Sequence, residues 1–233
     1  MREKRSSSIK AEVLQLDIEE LSAKEGRLIE EIISIHLAAF QGFFLTFMGR
    51  GFLRQMYRSY CDHPASAILA AVHHGQAVGF AAYSEDLSGL YRFMLKKRLV
   101  PFAWYSLCAF IRKPSIFFRL MRAFLKPREA RHTEQYVKLA SIGIRPEMQM
   151  MGIGSQLISA LKSRIDATQY AYISLETDSE DNDAANKFYR KNGFVPVREY
   201  TTREGRKMTE YRYWSKSEYH EAIGEDIRES SSL

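Results

Sequence analysis

At 233 residues, with 45% hydrophobic and 27% charged side chains, the chain has enough apolar mass for one well-packed domain and too much for a disordered or low-complexity protein. Its two cysteines, Cys61 and Cys108, exclude a disulfide framework and lack the spacing and company of a metal site. The formal net charge of +6 is unevenly placed: from Ser88 to Arg131 eleven Lys and Arg face Glu129 alone, a local +10 that leaves −4 for the remainder.

Met1 to Lys10 is charged, serine-rich and aperiodic, the pattern of a disordered tail, and no secretory signal pattern opens the chain, so a reducing cytoplasm is the expected location. A single domain is expected over residues 11–214. Glu12 to Ile18 alternates Leu14, Leu16 and Ile18 against Val13, Gln15 and Asp17, as a first strand would. A helix is predicted to begin near Ser22, with Glu25 completing a capping box, and to run through Phe40. Phe43 to Tyr60 is helical in period and is expected to break at Gly49 and Gly51. Ala67 to Val72 and Ala77 to Tyr83 flank His73-His74-Gly75-Gln76, a hairpin with glycine at its turn. The paired histidines have no carboxylate or cysteine at ligand spacing and read as turn residues, so no metal is expected.

Residues 88–131 form a helical, basic insertion. Leu99 to Ile111 is almost wholly apolar and framed by Pro101 and Pro114, yet thirteen residues cannot cross about 30 Å of hydrocarbon as a helix. Ser115 to Lys126 sets Ile116, Phe117, Leu120, Phe124 and Leu125 against Arg119, Arg122 and Lys126, a basic amphipathic helix. Such a segment suits packing on the domain or on a second copy in a homodimer. It equally suits peripheral contact with a membrane surface or an anionic substrate. No nucleic-acid motif accompanies the charge, and no nucleic-acid partner is expected.

The richest stretch follows. A β-like run from Tyr136 to Ile144 breaks at Arg145-Pro146 into a loop holding Gly152 and Gly154, after which Ile153, Leu157, Ile158 and Leu161 fall at helical spacing. A strand, a glycine loop and a helix start make an anion site, because the helix N-terminus leaves four N–H groups unpaired beside a partial positive charge. Two familiar phosphate loops are excluded. A P-loop needs Lys and Ser/Thr after its last glycine, where Ser155-Gln156 stand, and a dinucleotide fingerprint needs Gly or Ala where Leu157 stands. Past an apolar strand, Tyr170 to Leu175, comes Asn182-x-x-Ala185-x-x-x-Tyr189-x-Lys191-x-Gly193-Phe194. Phe194 to Thr201 and Lys207 to Trp214 then flank Arg203-Glu204-Gly205-Arg206 as a second hairpin, and Ser215 to Leu233 is at most a short helix and a tail.

Together Gln149-x-x-Gly152-x-Gly154, preceded by Ile144-x-Pro146, and the Asn182-to-Phe194 pattern resemble the two motifs of the GCN5-related N-acetyltransferase (GNAT) family, over roughly Tyr136 to Trp214. The resemblance implies an α/β (α+β) fold: a mixed, mostly antiparallel sheet of about seven strands with flanking helices. It implies acetyl-CoA as co-substrate and an amine as acceptor. It implies a splayed strand whose Ile142 and Ile144 offer backbone groups to the pantetheine arm, and a loop in which Gln149, Met150, Met151, Gly152, Ile153, Gly154 and Ser155 meet the pyrophosphate. Asn182 sits where the family places a coenzyme contact and Tyr189 where it places a general acid. Met150-Met151 depart from the pattern, standing where many relatives carry small and basic residues. Glu176, Glu134 and His132 are candidate bases, with Glu176 preferred because strand ends face the cleft in open α/β sheets. The expected activity is acetyl transfer to a small amine, an amino sugar being the favoured class. A protein acceptor and a non-catalytic acyl-CoA-binding module are the rival readings.

Overall fold

The computed structural model describes residues 16–115, 117–118, 135–166, 168–202 and 205–214. The tail over Met1 to Lys10, the start of the first predicted strand, most of the basic helix over Ser115 to Lys126, His132, Glu134 and Ser215 to Leu233 lie outside them. β1 (Asp17–Glu20), β2 (Ser66–His73), β3 (Gln76–Ser84), β4 (Tyr136–Ile144), β5 (Tyr172–Asp178), β6 (Val195–Thr201) and β7 (Lys207–Trp214) form one sheet in the order β1-β2-β3-β4-β5-β7-β6. Every neighbouring pair is antiparallel except β4 with β5.

Strand alternation sorts the core into two layers. Ile68, Ala70, Phe80 and Ala82 face α1 (Gly26–Ala39), α3 (Arg50–Asp62) and α4 (Leu87–Arg112), whose Ile32, Leu53, Tyr57 and Leu90 are fully buried there. Leu69, Ala81, Val137, Leu139, Ile173, Leu175 and Tyr211 face the other way, onto Leu157, Ile158 and Leu161 of α5 (Ile153–Arg164) and onto α6 (Asp183–Lys191) through Phe188 and Tyr189. The expected mixed, mostly antiparallel sheet of seven strands with flanking helices is present.

Three local expectations change. The first helix starts at Gly26, not Ser22, because Glu25 and Gly26 close a turn onto the carbonyls of Ser22 and Lys24. Half of the capping box survives: the Glu25 carboxylate accepts from Ser22 N at 2.6 Å. Between α2 (Phe44–Met48) and α3 only Gly49 breaks the chain, at φ +87°. Gly51 lies inside α3, where a Cβ would fall 2.2 Å from the Tyr105 ring, so its role is close approach of α4. Pro101 does not frame the apolar run. The backbone of α4 leaves helical values at Arg98 (φ −136°, ψ 23°), and Pro101 occupies the first turn after that kink, where its missing N–H has no partner to lose.

Candidate active site

The parallel β4–β5 ladder lasts only three residues, Tyr136 to Lys138 against Tyr172 to Ser174. Past Lys138 the strands part. A bulge sits at that point, since Ala82 pairs with Ser141 and Tyr83 with Leu139, leaving Ala140 as the extra residue. Gly143 admits a ring: its Cβ would lie 2.8 Å from Phe80. Arg145 N–H donates to Val78 O at 2.8 Å, so in this antiparallel pair the odd residues Gly143 and Arg145 bond toward β3. Ile144 and Ile142, alternating with them, turn their N–H and C=O groups into the gap that β5 vacates.

The gap leads to the glycine loop. Pro146–Met148 makes one 3-10 turn, and Met150 (φ +64°) and Gly152 (φ +81°) both take left-handed backbone before α5 begins at Ile153. The buried Ile153 anchors this corner: a Cβ on Gly79 would come within 3.1 Å of its Cγ2. Gly154 is needed for a different reason, its Cβ position lying 3.0 Å from the Phe188 ring of α6. Gln156 N–H closes onto Gly152 O, while the N–H groups of Met150 to Ser155 find no acceptor among the described residues. No acidic side chain stands in the first turn of α5. That is a cradle for an anion, built by backbone alone. Gln149 and Met150 are exposed and Met151 half-exposed, so their side chains project to solvent and only their peptide groups belong to the cradle. Arg145, the nearest cation in sequence, donates through Nη2 to Ala77 O at 2.8 Å.

α6 brings the second motif alongside. Asn182 sits at its N-cap, and its amide nitrogen donates to Thr177 Oγ1 at 2.6 Å, which ties the helix start to the end of β5. The Tyr189 ring lies among Phe188 (5.2 Å), Tyr211 (5.8 Å) and Phe194 (6.0 Å) on the α5 side of the sheet. Its hydroxyl has no hydrogen-bond partner among the described residues. Burial, reinforced by Tyr211, pushes its pKa up to about 12, so the phenol keeps its proton throughout the neutral range.

Glu176 projects from the opposite face, together with groups that sequence reasoning missed. Its Oε1 stands 3.3 Å from Lys138 Nζ, and both side chains are largely buried. Directly across the β5–β7 ladder lies Glu210, 1% exposed, held by Arg212 Nε at 2.9 Å and Arg198 Nη2 at 3.3 Å. Tyr136 and Tyr172 stack beside them at 5.5 Å and 13°, with the Arg212 guanidinium over Tyr172. The available signal was the alternation on β7, where Glu210 and Arg212 interleave with Thr209, Tyr211 and Tyr213. A cavity of about 190 Å³ opens on this face, lined by Ser84, Glu85, Asp86, Leu87, Ser88, Gln135, Tyr136 and Lys138. It therefore reaches Lys138, the last paired residue before the strands part. Past the β5 end, Arg206 binds Asp178 through Nε at 3.0 Å and Nη2 at 2.7 Å while lying over the Phe43 ring.

The profile of the Acetyltransferase (GNAT) family matches residues 29–194. The chain belongs to the GNAT acetyltransferase family. It is an acyltransferase whose acetyl donor is acetyl-CoA. Solved GNAT-fold structures similar to it include an acetyltransferase from Bacillus cereus, 13% identical with a TM-score of 0.54 over 86% of this chain and 98% of that one. Agmatine N-acetyltransferase is 12% identical with a TM-score of 0.52, covering 86% of this chain and 100% of its own. The ribosomal-protein-S18-alanine N-acetyltransferase from Escherichia coli is 13% identical with a TM-score of 0.51, covering 88% and 99%. At these identities the likeness is one of fold. No curated protein matches the sequence. The GNAT donor fits what the chain presents: unpaired amides at residues 150–155 for a diphosphate, and the amides of Ile142 and Ile144 for an extended arm in the gap. Among the described residues no cluster of His, Cys, Asp or Glu could hold a metal.

Proposed function

We propose that the acceptor is a small amine, that it reaches the thioester from the cavity at Lys138, and that Tyr189 protonates the departing sulfur. The observation that carries the reading is the position of that cavity, which abuts the point where β4 and β5 part and lies on the sheet face opposite the glycine loop. Its lining mixes apolar and polar groups, and Ser88, Gln135 and the carboxylate of Glu85, one oxygen of which accepts from Tyr170, offer partners for hydroxyl and ammonium groups, which favours an amino sugar over an apolar amine. Leu87 and Ser88 open α4, so the insertion itself walls this side and narrows it for a small acceptor, whereas a protein acceptor calls for an open groove.

Bound acetyl-CoA supplies the thioester; the residues of this chain orient it and manage two protons. The backbone of residues 150–155 grips the diphosphate, each charged hydrogen bond contributing about 1.5 to 3 kcal/mol. Asn182, fixed by Thr177 and Asp178, sets the start of the helix that carries Tyr189. The amine attacks as its neutral form. Stripping a proton at pH 7 from an amine of pKa about 10.4 costs roughly 4.6 kcal/mol, against about 1 kcal/mol for one near 7.8, so an amino sugar scarcely needs a base. In this reading Glu176, reached through its partner Lys138 at the cavity wall, takes that proton, and the contact with Lys138 supports the assignment. A leaving thiolate of pKa about 8.5 is relieved by a phenol that holds its proton to a higher pH. To test the reading, acetyl-CoA would be incubated with a panel of amino sugars, polyamines and N-terminal peptides, following free thiol. Turnover of small hydroxylated amines with peptides inert is the expected result; turnover confined to peptides would overturn the acceptor assignment.

A further inference from the structure

Nothing in acetyl transfer uses the outer face of α4. Over its second half the residues that face outward are Val100, Ala103, Trp104, Leu107 and Ile111, spaced i, i+3, i+4, i+7, i+11 along one side of the helix. Every one is apolar. Val100 is 79% exposed, Ile111 68% and Trp104 61%, while Ala109 on the other side is fully buried. The apolar row takes in Leu99 just after the kink and Tyr91 and Leu95 before it, flanked by the exposed Arg92, Lys96 and Lys97. Arg112 and Lys113 close the far end. From Leu87 to Lys113 there is no acidic residue. Among these cations Arg98 is consumed internally by Asp62 and Gln55, Arg92 pairs with Asp86, and Arg112 donates to Phe47 O at 3.1 Å. Lys96, Lys97 and Lys113 form no ion pair among the described residues.

We propose that α4 docks this protein onto the surface of an anionic lipid bilayer, Trp104, Leu107 and Ile111 entering the acyl boundary and Lys96, Lys97 and Lys113 meeting headgroup phosphates. An apolar strip bordered by cations is what an interfacial helix requires, and no helix among the described residues is long and apolar enough to cross the membrane. Charge decides against a second copy as the occupant. Two such faces brought together oppose cation to cation, whereas an anionic surface complements them. Docked in this way, the N-terminal end of α4, which lines the acceptor cavity, lies at the lipid surface.

The test needs no enzyme activity and so stands or falls apart from the acceptor assignment. The chain has two tryptophans, and a Trp214→Phe variant leaves Trp104 as the reporter. The full chain would be sedimented with vesicles of phosphatidylcholine alone or of phosphatidylcholine with phosphatidylglycerol, and Trp104 emission recorded. The expected result is binding to the anionic vesicles only, a blue shift of Trp104, release by high salt, and about tenfold or greater weakening in a Lys96→Glu, Lys97→Glu, Lys113→Glu variant. A Trp104→Ser, Leu107→Ser variant should weaken binding with its circular dichroism unchanged. No sedimentation of folded protein with anionic vesicles at low salt overturns the proposal. So does a lipid-free dimer in which Trp104 is already shielded and which those substitutions dissociate.

Discussion

Tyr189→Phe removes one oxygen and nothing else. The ring keeps its neighbours Phe188, Phe194 and Tyr211, none of which touches it through the hydroxyl. Tyr189 is partly buried and its hydroxyl holds no partner among the described residues, so losing the oxygen breaks no protein hydrogen bond and should leave the melting temperature nearly unchanged. The chemical step should behave in the opposite way. A positioned general acid contributes on the order of 10² to 10⁴ in rate, which is roughly 2.7 to 5.5 kcal/mol of barrier. Free-thiol release under saturating acetyl-CoA should therefore fall at least about 10²-fold in kcat while coenzyme affinity stays within about threefold. Because burial holds the phenol near pKa 12, its protonation does not change between pH 6 and 9, and the ratio of wild-type to variant rates should be flat over that window. A variant that turns over within threefold of the wild type refutes the role, and one that loses several degrees of stability shows the oxygen to be structural.

The loop glycines should fail for different reasons. Gly152→Ala meets open space but must hold φ +81°, costing about 1 to 2 kcal/mol; Gly154→Ala drives a methyl into Phe188 for about 1 to 3 kcal/mol, and Phe188→Leu should recover stability only in the second case, as read by urea unfolding. Glu176→Gln removes the negative charge facing the largely buried Lys138 and should cost about 3 to 5 kcal/mol. Adding Lys138→Met should restore the fold without restoring the rate toward high-pKa amines, and alkaline pH should rescue that rate if the carboxylate acts as a base. His36, buried beside Tyr57 with its pKa lowered to about 4 by burial, stays neutral in the fold where the unfolded chain protonates near 6.5. Its contribution is complete above pH 6.5 and is lost as pH falls toward 4, up to about 3 kcal/mol, and His36→Gln should flatten acid unfolding over that window. Arg206→Ala removes an exposed ion pair with Asp178 and the contact with Phe43 and should lower stability by no more than about 1 kcal/mol, as read by urea unfolding.

What the sequence disclosed was the part of the site made of backbone. Gly152 and Gly154 are forced by a positive φ and by the Phe188 ring, constraints that leave their mark as residue type at fixed spacing. Asn182 and Tyr189 follow on one helix, where local periodicity places them. The proposed acceptor face was legible only in Glu176, because its partners Lys138, Glu210, Arg198 and Arg212 meet it through strand register. Register across β5, β7 and β6 depends on hairpin geometry and on a bulge between Pro196 and Arg198, which no linear spacing encodes. Pro101 was misread for a similar reason. A proline ends one helix and suits the first turn of the next equally well, and only the conformation of Arg98 distinguishes the two.

The most direct measurement is a calorimetric titration of the folded chain with CoA and, separately, with pantetheine, which keeps the arm and lacks the diphosphate. A peptide cradle at residues 150–155 predicts saturable heat with CoA and binding of pantetheine weaker by about 10²-fold or more. Equal affinities, or no heat with CoA, would contradict it.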